Sequence, residues 1–411
     1  MAKIRALLSV LFVAGACSSV MAQTPAAQTP TPPTPSTPAP STPRLDTIKL
    51  PPGFSIELYA SDVRNARSMV LSPNGTLFVG SRIIGVGNVY AVVDRNKDNK
   101  ADDVIVIAKG LNMPNGMAFR NGSLFVADTT RMLRYDNIEA QLNNPPAPVT
   151  LYENFPNLRL HQWHFIAFGP DGLLYVPIGS PCTDYCDPTV SEYKNPAGDV
   201  IAADKRFASI MRMKPDGTGQ EIFASGIRNT VGFDWHPGSK DLYFTDNSRD
   251  WASEDLPEDE LNRAHKAGLH FGSPFCYQGD FPDPEFGWGR SCSEFEKPVL
   301  KTGPHSASLG MRFYTGDKFP AKYKNAIFMA RHGSWNRSQK FGGDILAVFL
   351  NKDGSVKGTE VFISGFLENN SYIGRPVDVL FLKDGTMLIS DDFNGAVWRV
   401  SYGNQKSAAK K

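Results

Sequence analysis

A tight turn followed by an apolar strand recurs along the chain. It reads Asn74-Gly75-Thr76-Leu77-Phe78-Val79, then Asn121-Gly122-Ser123-Leu124-Phe125-Val126, then Asp171-Gly172-Leu173-Leu174-Tyr175-Val176. Looser copies start at Ser239 and Lys324, and a sixth is Asp384-Gly385-Thr386-Met387-Leu388-Ile389. Asn-Gly and Asp-Gly supply the positive φ angles that hairpin turns need. The copies are spaced by about 47 to 85 residues, close to or longer than the roughly 40–50 residues of one propeller blade. The longer spacings predict loops inserted on one face. The segment ahead of each turn opens on a polar residue and continues with small and apolar ones. The six openers are Arg67, Asn115, His161, Arg228, His305 and Arg375. The first strand of each blade lines a propeller's channel, so these six are predicted to ring one mouth. Three arginines among them suit an anionic ligand. Helix signal is weak, and the expected fold is all-β, a six-bladed β-propeller.

The 411 residues fit such a closed ring, and 36 glycines with 31 prolines supply its turns. Basic and acidic residues nearly cancel, 43 against 42, so no charge excess points to nucleic acid or an anionic membrane. A small neutral substrate fits better.

Lys3 and Arg5 precede the short apolar run Ala6–Ala16, and Val20-Met21-Ala22 has the small residues of a signal-peptide cleavage site. The run is too short to span a bilayer, and no other segment is a transmembrane candidate. Residues 1–22 are therefore read as a signal peptide of a periplasmic or secreted protein, with lipidation at Cys17 as the alternative. Residues 23–45, rich in Pro, Thr and Ala, read as a disordered, extended linker. Residues 46–404 are assigned to the propeller and 405–411 to a basic tail. Cys182, Cys186, Cys276 and Cys292 suggest disulfides in an exported chain. Three pairings are open, with proximity favouring Cys182–Cys186 and Cys276–Cys292.

Six segments carry a family resemblance. They are His161–Ser180 (HQWHFIAFGPDGLLYVPIGS), Ala224–Thr230 (ASGIRNT), Thr245–Asn262, Pro304–Leu309 (PHSASL), Arg331–Arg337 (RHGSWNR) and Gly374–Val379 (GRPVDV). Over residues 48–402 the chain resembles the PQQ-dependent glucose/sorbosone dehydrogenases, and among them the sorbosone-dehydrogenase-like branch (PQQ is pyrroloquinoline quinone). The resemblance implies oxidation of an aldose, sorbosone-like aldehyde or polyol by hydride transfer to the quinone C5. His161 would be the general base, a group that titrates near neutrality. Arg228 and Asn229 would contact the cofactor, Arg228 stabilising charge on the quinone oxygen. Arg375 and Asn115 would join them, since forked guanidinium groups suit a tricarboxylate. Ca²⁺ would sit on the backbone carbonyls of Asn247 and Ser248 as a Lewis acid.

The chain departs from the family pattern in two places. Ser180 stands where glucose-oxidising members carry an aspartate beside the histidine, so Asp184 or Asp187 is considered as a substitute. Val377 stands where the family has a second arginine. Arg337, Arg331 and Arg67 are candidates for its role, Arg337 preferred. Separately, Asp94, Asn96, Asp98 and Asp102 alternate oxygen ligands in one loop, as a structural Ca²⁺ site would. Two rival readings are a Ca²⁺-dependent lactonase-type propeller and a non-catalytic binding propeller. The arginine-rich ring argues against the first. The substrate and the external electron acceptor are not specified by sequence.

Overall fold

A computed structural model describes residues 44–83, 85–157, 160–182, 192–194, 200–250 and 252–403. The expected signal peptide, most of the linker, Cys17, Asp184, Cys186, Asp187 and the basic tail lie outside them. No helix among the described residues is long and apolar enough to cross a membrane.

Six antiparallel sheets form the blades of a β-propeller. Blade 1 holds Ala66–Leu71, Leu77–Ser81, Gly87–Val93 and Asp103–Leu111; blade 2 holds Gly116–Arg120, Ser123–Ala127, Met132–Tyr135 and Val149–Tyr152. Blade 3 runs Ala167–Phe168, Leu174–Ile178, Ser209–Met213 and Glu221–Ser225, and gains Leu269–His270 as a parallel edge. Blade 4 is Phe233–Trp235, Leu242–Asp246, Glu258–Ala264 and Leu300–Pro304; blade 5 is Ser308–Phe313, Ile327–Arg331, Asp344–Leu350 and Val356–Ile363. Blade 6 takes Pro376–Phe381, Met387–Asp391 and Ala396–Tyr402 from the end of the chain, and Phe54–Ala60 from near its start. The recurring turns do join the first and second strands, with positive φ at Gly75, Gly122, Gly172 and Gly385.

The apolar faces of neighbouring blades pack into six layers, one at each blade junction. The blade 5–6 layer is the most aromatic. There Phe54 meets Phe319 and Phe362 edge-on, at 4.8 and 4.9 Å between ring centroids, a favourable geometry for aromatic pairs. A seventh cluster lies on the axis: Val231, Leu309 and Val377, with Trp163 packed against them. Val231, Leu309 and Trp163 also line the cavity described below. Val377 is 1% exposed, which explains why a residue at that position in this chain need not be charged.

Blades approach closely at the axis because small residues stand there. A Cβ on Gly116 would fall 1.8 Å from the His164 carbonyl oxygen, and one on Gly232 would fall 2.3 Å from that of Leu309. Cys276 and Cys292 are disulfide-bonded, the local pairing of those expected.

Candidate active site

The innermost strands open onto a cavity of about 410 Å³, lined in part by Trp163, Val231 and Leu309. Arg67 is the second residue of the first blade 1 strand, while Arg228, His305 and Arg375 stand five, three and one residues ahead of theirs. All four line the cavity, with His161. Two buried carboxylates fix the backbone at these entries. Asp246 accepts from the amides of Arg228 (2.9 Å) and Asn229 (2.6 Å), and Asp391 accepts from that of Arg375 (3.0 Å). Burial pushes the Asp246 carboxyl up to about 7, and lifts the neighbouring Asp259 and Glu260 as well.

His161 and His305 both have left-handed backbone, φ 55° and 52°. Such strain in residues other than glycine concentrates at functional sites. His161 Nδ1 lies 2.7 Å from the Ser180 carbonyl oxygen. A carbonyl can only accept, so Nδ1 carries the proton and Nε2 keeps its lone pair. Burial, reinforced by the Arg228 charge, pulls the His161 pKa down to about 4, against an opposing pull from Asp250. The imidazole is therefore neutral at neutral pH. Ser180 orients it through its backbone, while the Ser180 hydroxyl lies 3.1 Å from Cys182 Sγ. His164 faces elsewhere, bonded to the carbonyls of Pro177 and Thr129.

Four guanidinium groups, from Arg67, Arg82, Arg228 and Arg375, line the cavity against two carboxylates, Asp250 and Asp259. Arg228 is 2% exposed; it donates to the Asn247 carbonyl (3.0 Å) and pairs with Asp250 (2.9 Å). Arg375 donates to the carbonyls of His332 and Gly333 and lies over the Tyr372 ring. Arg67 pairs with Asp392 at 3.1 Å, and Arg82 approaches the same carboxylate at 3.6 Å. His332 Nε2 is 2.8 Å from the other Asp392 oxygen. Burial opposes the Asp392 charge, but His332, Arg67 and Arg82 outweigh it and hold the carboxyl well below the usual range. Burial also pulls His332 down to about 3.

The TrAA12-like family model matches residues 48–403. The chain belongs to that family. TrAA12-like proteins are PQQ-dependent sugar dehydrogenases, which places the chain among the sugar oxidoreductases. An uncharacterised protein of Borreliella burgdorferi is 29% identical over 373 residues, covering 87% of this chain and 91% of that one. Two solved structures share the fold at 18% identity. The calcium structure of a Trichoderma reesei Carbohydrate-Active Enzymes family AA12 protein has a TM-score of 0.72, covering 86% of this chain and 97% of its own. The holo PQQ domain of Coprinopsis cinerea pyranose dehydrogenase has a TM-score of 0.69, covering 88% and 98%.

Within this TrAA12-like cavity His161, Arg228, Asn229, Asn247, Ser248 and Arg375 come together. Two expected cofactor residues do not line it. Asn115 is fully buried behind it, accepting from Arg67 Nε at 3.3 Å. Arg337 is spent on a neighbouring loop, paired with Asp255 at 2.9 Å and donating to the Glu254 carbonyl. Arg331 is likewise committed, to Asp344. Arg67, the remaining candidate, does line the cavity.

In the Asp94–Asp102 loop the carboxylates accept from the loop's own amides. Asp94 receives Asp98 and Asn99, and Asp102 receives Arg95. Among the described residues no three His, Cys, Asp or Glu side chains gather as a metal cluster.

Sequence reasoning missed Arg82, His332 and Asp392. Each directly follows the second strand of its blade. Second strands run antiparallel to first ones, so their ends stand beside the openers: Ala66 pairs with Ser81, Ser308 with Arg331 and Pro376 with Asp391. Polar residues just past second strands were the available signal.

Proposed function

We propose that the chain oxidises a sugar at a C–OH or aldehyde carbon with PQQ, His161 acting as general base. The observation that carries this reading is one cavity lined by four arginines and a neutral imidazole. That donor set fits a tricarboxylate: Arg67, Arg82 and Arg375 on one side and Arg228 with Asn229 on the other can form forked, charge-assisted bonds. Bound PQQ would supply the two-electron acceptor, with Ca²⁺ polarising its quinone oxygen. Asn247 and Ser248 are the residues proposed to hold Ca²⁺. Asn247 Oδ1 is buried without a hydrogen-bond partner beside them, and hard oxygen donors suit this ion.

His161 Nε2 accepts the substrate hydroxyl proton as the C–H bond is oxidised. The Ser180 carbonyl holds the ring in the one tautomer that can do so, and stabilises the imidazolium that forms. A base positioned in this way contributes about 10²–10⁴-fold. The export signal read from the N-terminus supports action in the periplasm or outside the cell.

The test is to load the purified chain with PQQ and Ca²⁺ and follow dye reduction with a panel of aldoses, sorbosone and polyols. PQQ-dependent turnover is expected, and His161→Ala should lose at least 10²-fold of it while keeping PQQ absorbance. Metal-dependent lactone hydrolysis without PQQ, or an unaffected His161→Ala, would overturn the reading.

A further inference from the structure

Trp335 stands out among the residues that line the cavity. It is 67% exposed. Trp163, the other indole there, packs against the apolar cluster of Val231, Leu309 and Val377. Trp335 gains little from burial, and a tryptophan left in water forgoes much of its roughly 150–250 Å² of contact surface.

Its backbone is nonetheless held firmly. His332 and Gly333 donate to the carbonyls of Ala307 and Ser306, both at 2.9 Å. Ser334 and Phe341 exchange bonds across the loop, at 2.9 and 3.0 Å. Lys340 Nζ donates to the Trp335 carbonyl at 3.1 Å. Asn336 donates to the Asp250 carbonyl, and Ser338 bonds to Glu254 through both its amide and its hydroxyl. These contacts tie the loop to the segment following the second strand of blade 4. A large flat apolar ring is therefore displayed on a braced loop at the cavity mouth.

The cavity is small. Its volume of about 410 Å³ lies near the low end of the roughly 300–1,000 Å³ range for ligand pockets. Its charged depth is matched to an anionic cofactor. A cofactor held by those charged groups would take up much of it, so a saccharide of more than one ring would extend past the lining. A pyranose presents C–H groups on its flat face and hydroxyls around its rim, so it can lie on an indole while its hydroxyls stay in water.

We propose that Trp335 is a stacking platform for the second ring of an oligosaccharide or glycoside, and that it sets a preference for substrates longer than a monosaccharide. This rests on the sugar-oxidising reading above. The test compares the PQQ-loaded wild type with Trp335→Ala and Trp335→Phe on glucose, maltose and cellobiose. In Trp335→Ala the ratio of disaccharide KM to glucose KM should rise about 3- to 10-fold, and Trp335→Phe should restore most of it. Calorimetric titration of methyl β-cellobioside, whose reducing end is blocked, should show the same loss of affinity without any turnover. An unchanged KM ratio together with unchanged glycoside binding would overturn the proposal, and would leave Trp335 as a contact for some non-saccharide partner. A wild type that oxidises no saccharide would defeat the underlying reading instead, and the titration would still decide what Trp335 binds.

Discussion

Gly179→Ala is the most direct probe of how His161 is held. Gly179 follows the second strand of blade 3, directly behind the histidine. A Cβ built there would lie 2.4 Å from His161 Cβ and 2.4 Å from its carbonyl oxygen, where ordinary contact begins at 3.4 Å. Relief therefore requires His161 to move by about 1 Å. One of the two clashes is with backbone, so a rotamer change cannot absorb it. Gly179 is not among the positive-φ glycines, so the alanine itself brings no conformational penalty and the effect is purely steric. Overpacking of this kind costs about 1–3 kcal/mol of stability. A misplacement of about 1 Å at a catalytic group costs on the order of 10²-fold in rate. Both clashes fall on His161; the Arg228 carbonyl is held by the Ser180 amide of the next residue at 2.8 Å, so under the proposed function PQQ affinity should fall less than turnover. The assay is dye-coupled turnover of the loaded enzyme, alongside a PQQ titration and a thermal melt. Near-normal turnover in a folded, loaded Gly179→Ala protein would refute the claim that His161 must stand where it does. Equal losses of PQQ binding and turnover would refute the assignment of the effect to the base.

Three further outcomes are expected. In cofactor-free protein, NMR should show the His161 ring titrating at about 4, with Arg228→Gln moving the midpoint up and Asp250→Asn moving it down; a midpoint near 6.5 would contradict the burial argument. Because the folded pKa lies below the unfolded one, the stability tied to this neutral histidine is complete above pH 6.5 and is lost as the pH falls toward 4, by about 3 kcal/mol. His161→Gln should remove that part of the acid-side slope in a series of melts. Arg375→Ala should weaken PQQ binding about 10- to 100-fold, the worth of a charge-assisted hydrogen bond, whereas Arg337→Ala should leave it within about twofold because its guanidinium already serves Asp255 and Glu254.

The repeat was legible in the chain because hairpin chemistry is local. Asn-Gly and Asp-Gly turns announce themselves over six residues, and the openers Arg67, His161, Arg228, His305 and Arg375 stand ahead of them, by 7 residues at Arg67 and by 19 at His305. Asn115 also stands ahead of its turn but does not share the destination. Its entry is preceded by Met113, a left-handed residue with φ 46°, and its amide braces Arg67 rather than facing the cavity. Arg337 was misplaced for a related reason. A motif gives its position along the chain, but not which loop of the neighbouring blade will claim the side chain. Arg82, His332 and Asp392 were hidden because they come from blades 1, 5 and 6, and only closure of the ring puts them side by side.

That closure has a consequence for biogenesis. Phe54–Ala60 zips onto Ala396–Tyr402 through pairs such as Ile56 with Val400 and Leu58 with Trp398. The first-made strand must wait for nearly the whole polypeptide before it finds its neighbour, and such distant pairing slows folding. Until the two meet, each leaves an unpaired strand edge, the kind of surface that recruits other chains into aggregates. Deleting Phe54–Ala60 would make that hazard permanent while leaving every cavity-lining residue in the sequence, so the cavity depends on a seam remote from it in the chain.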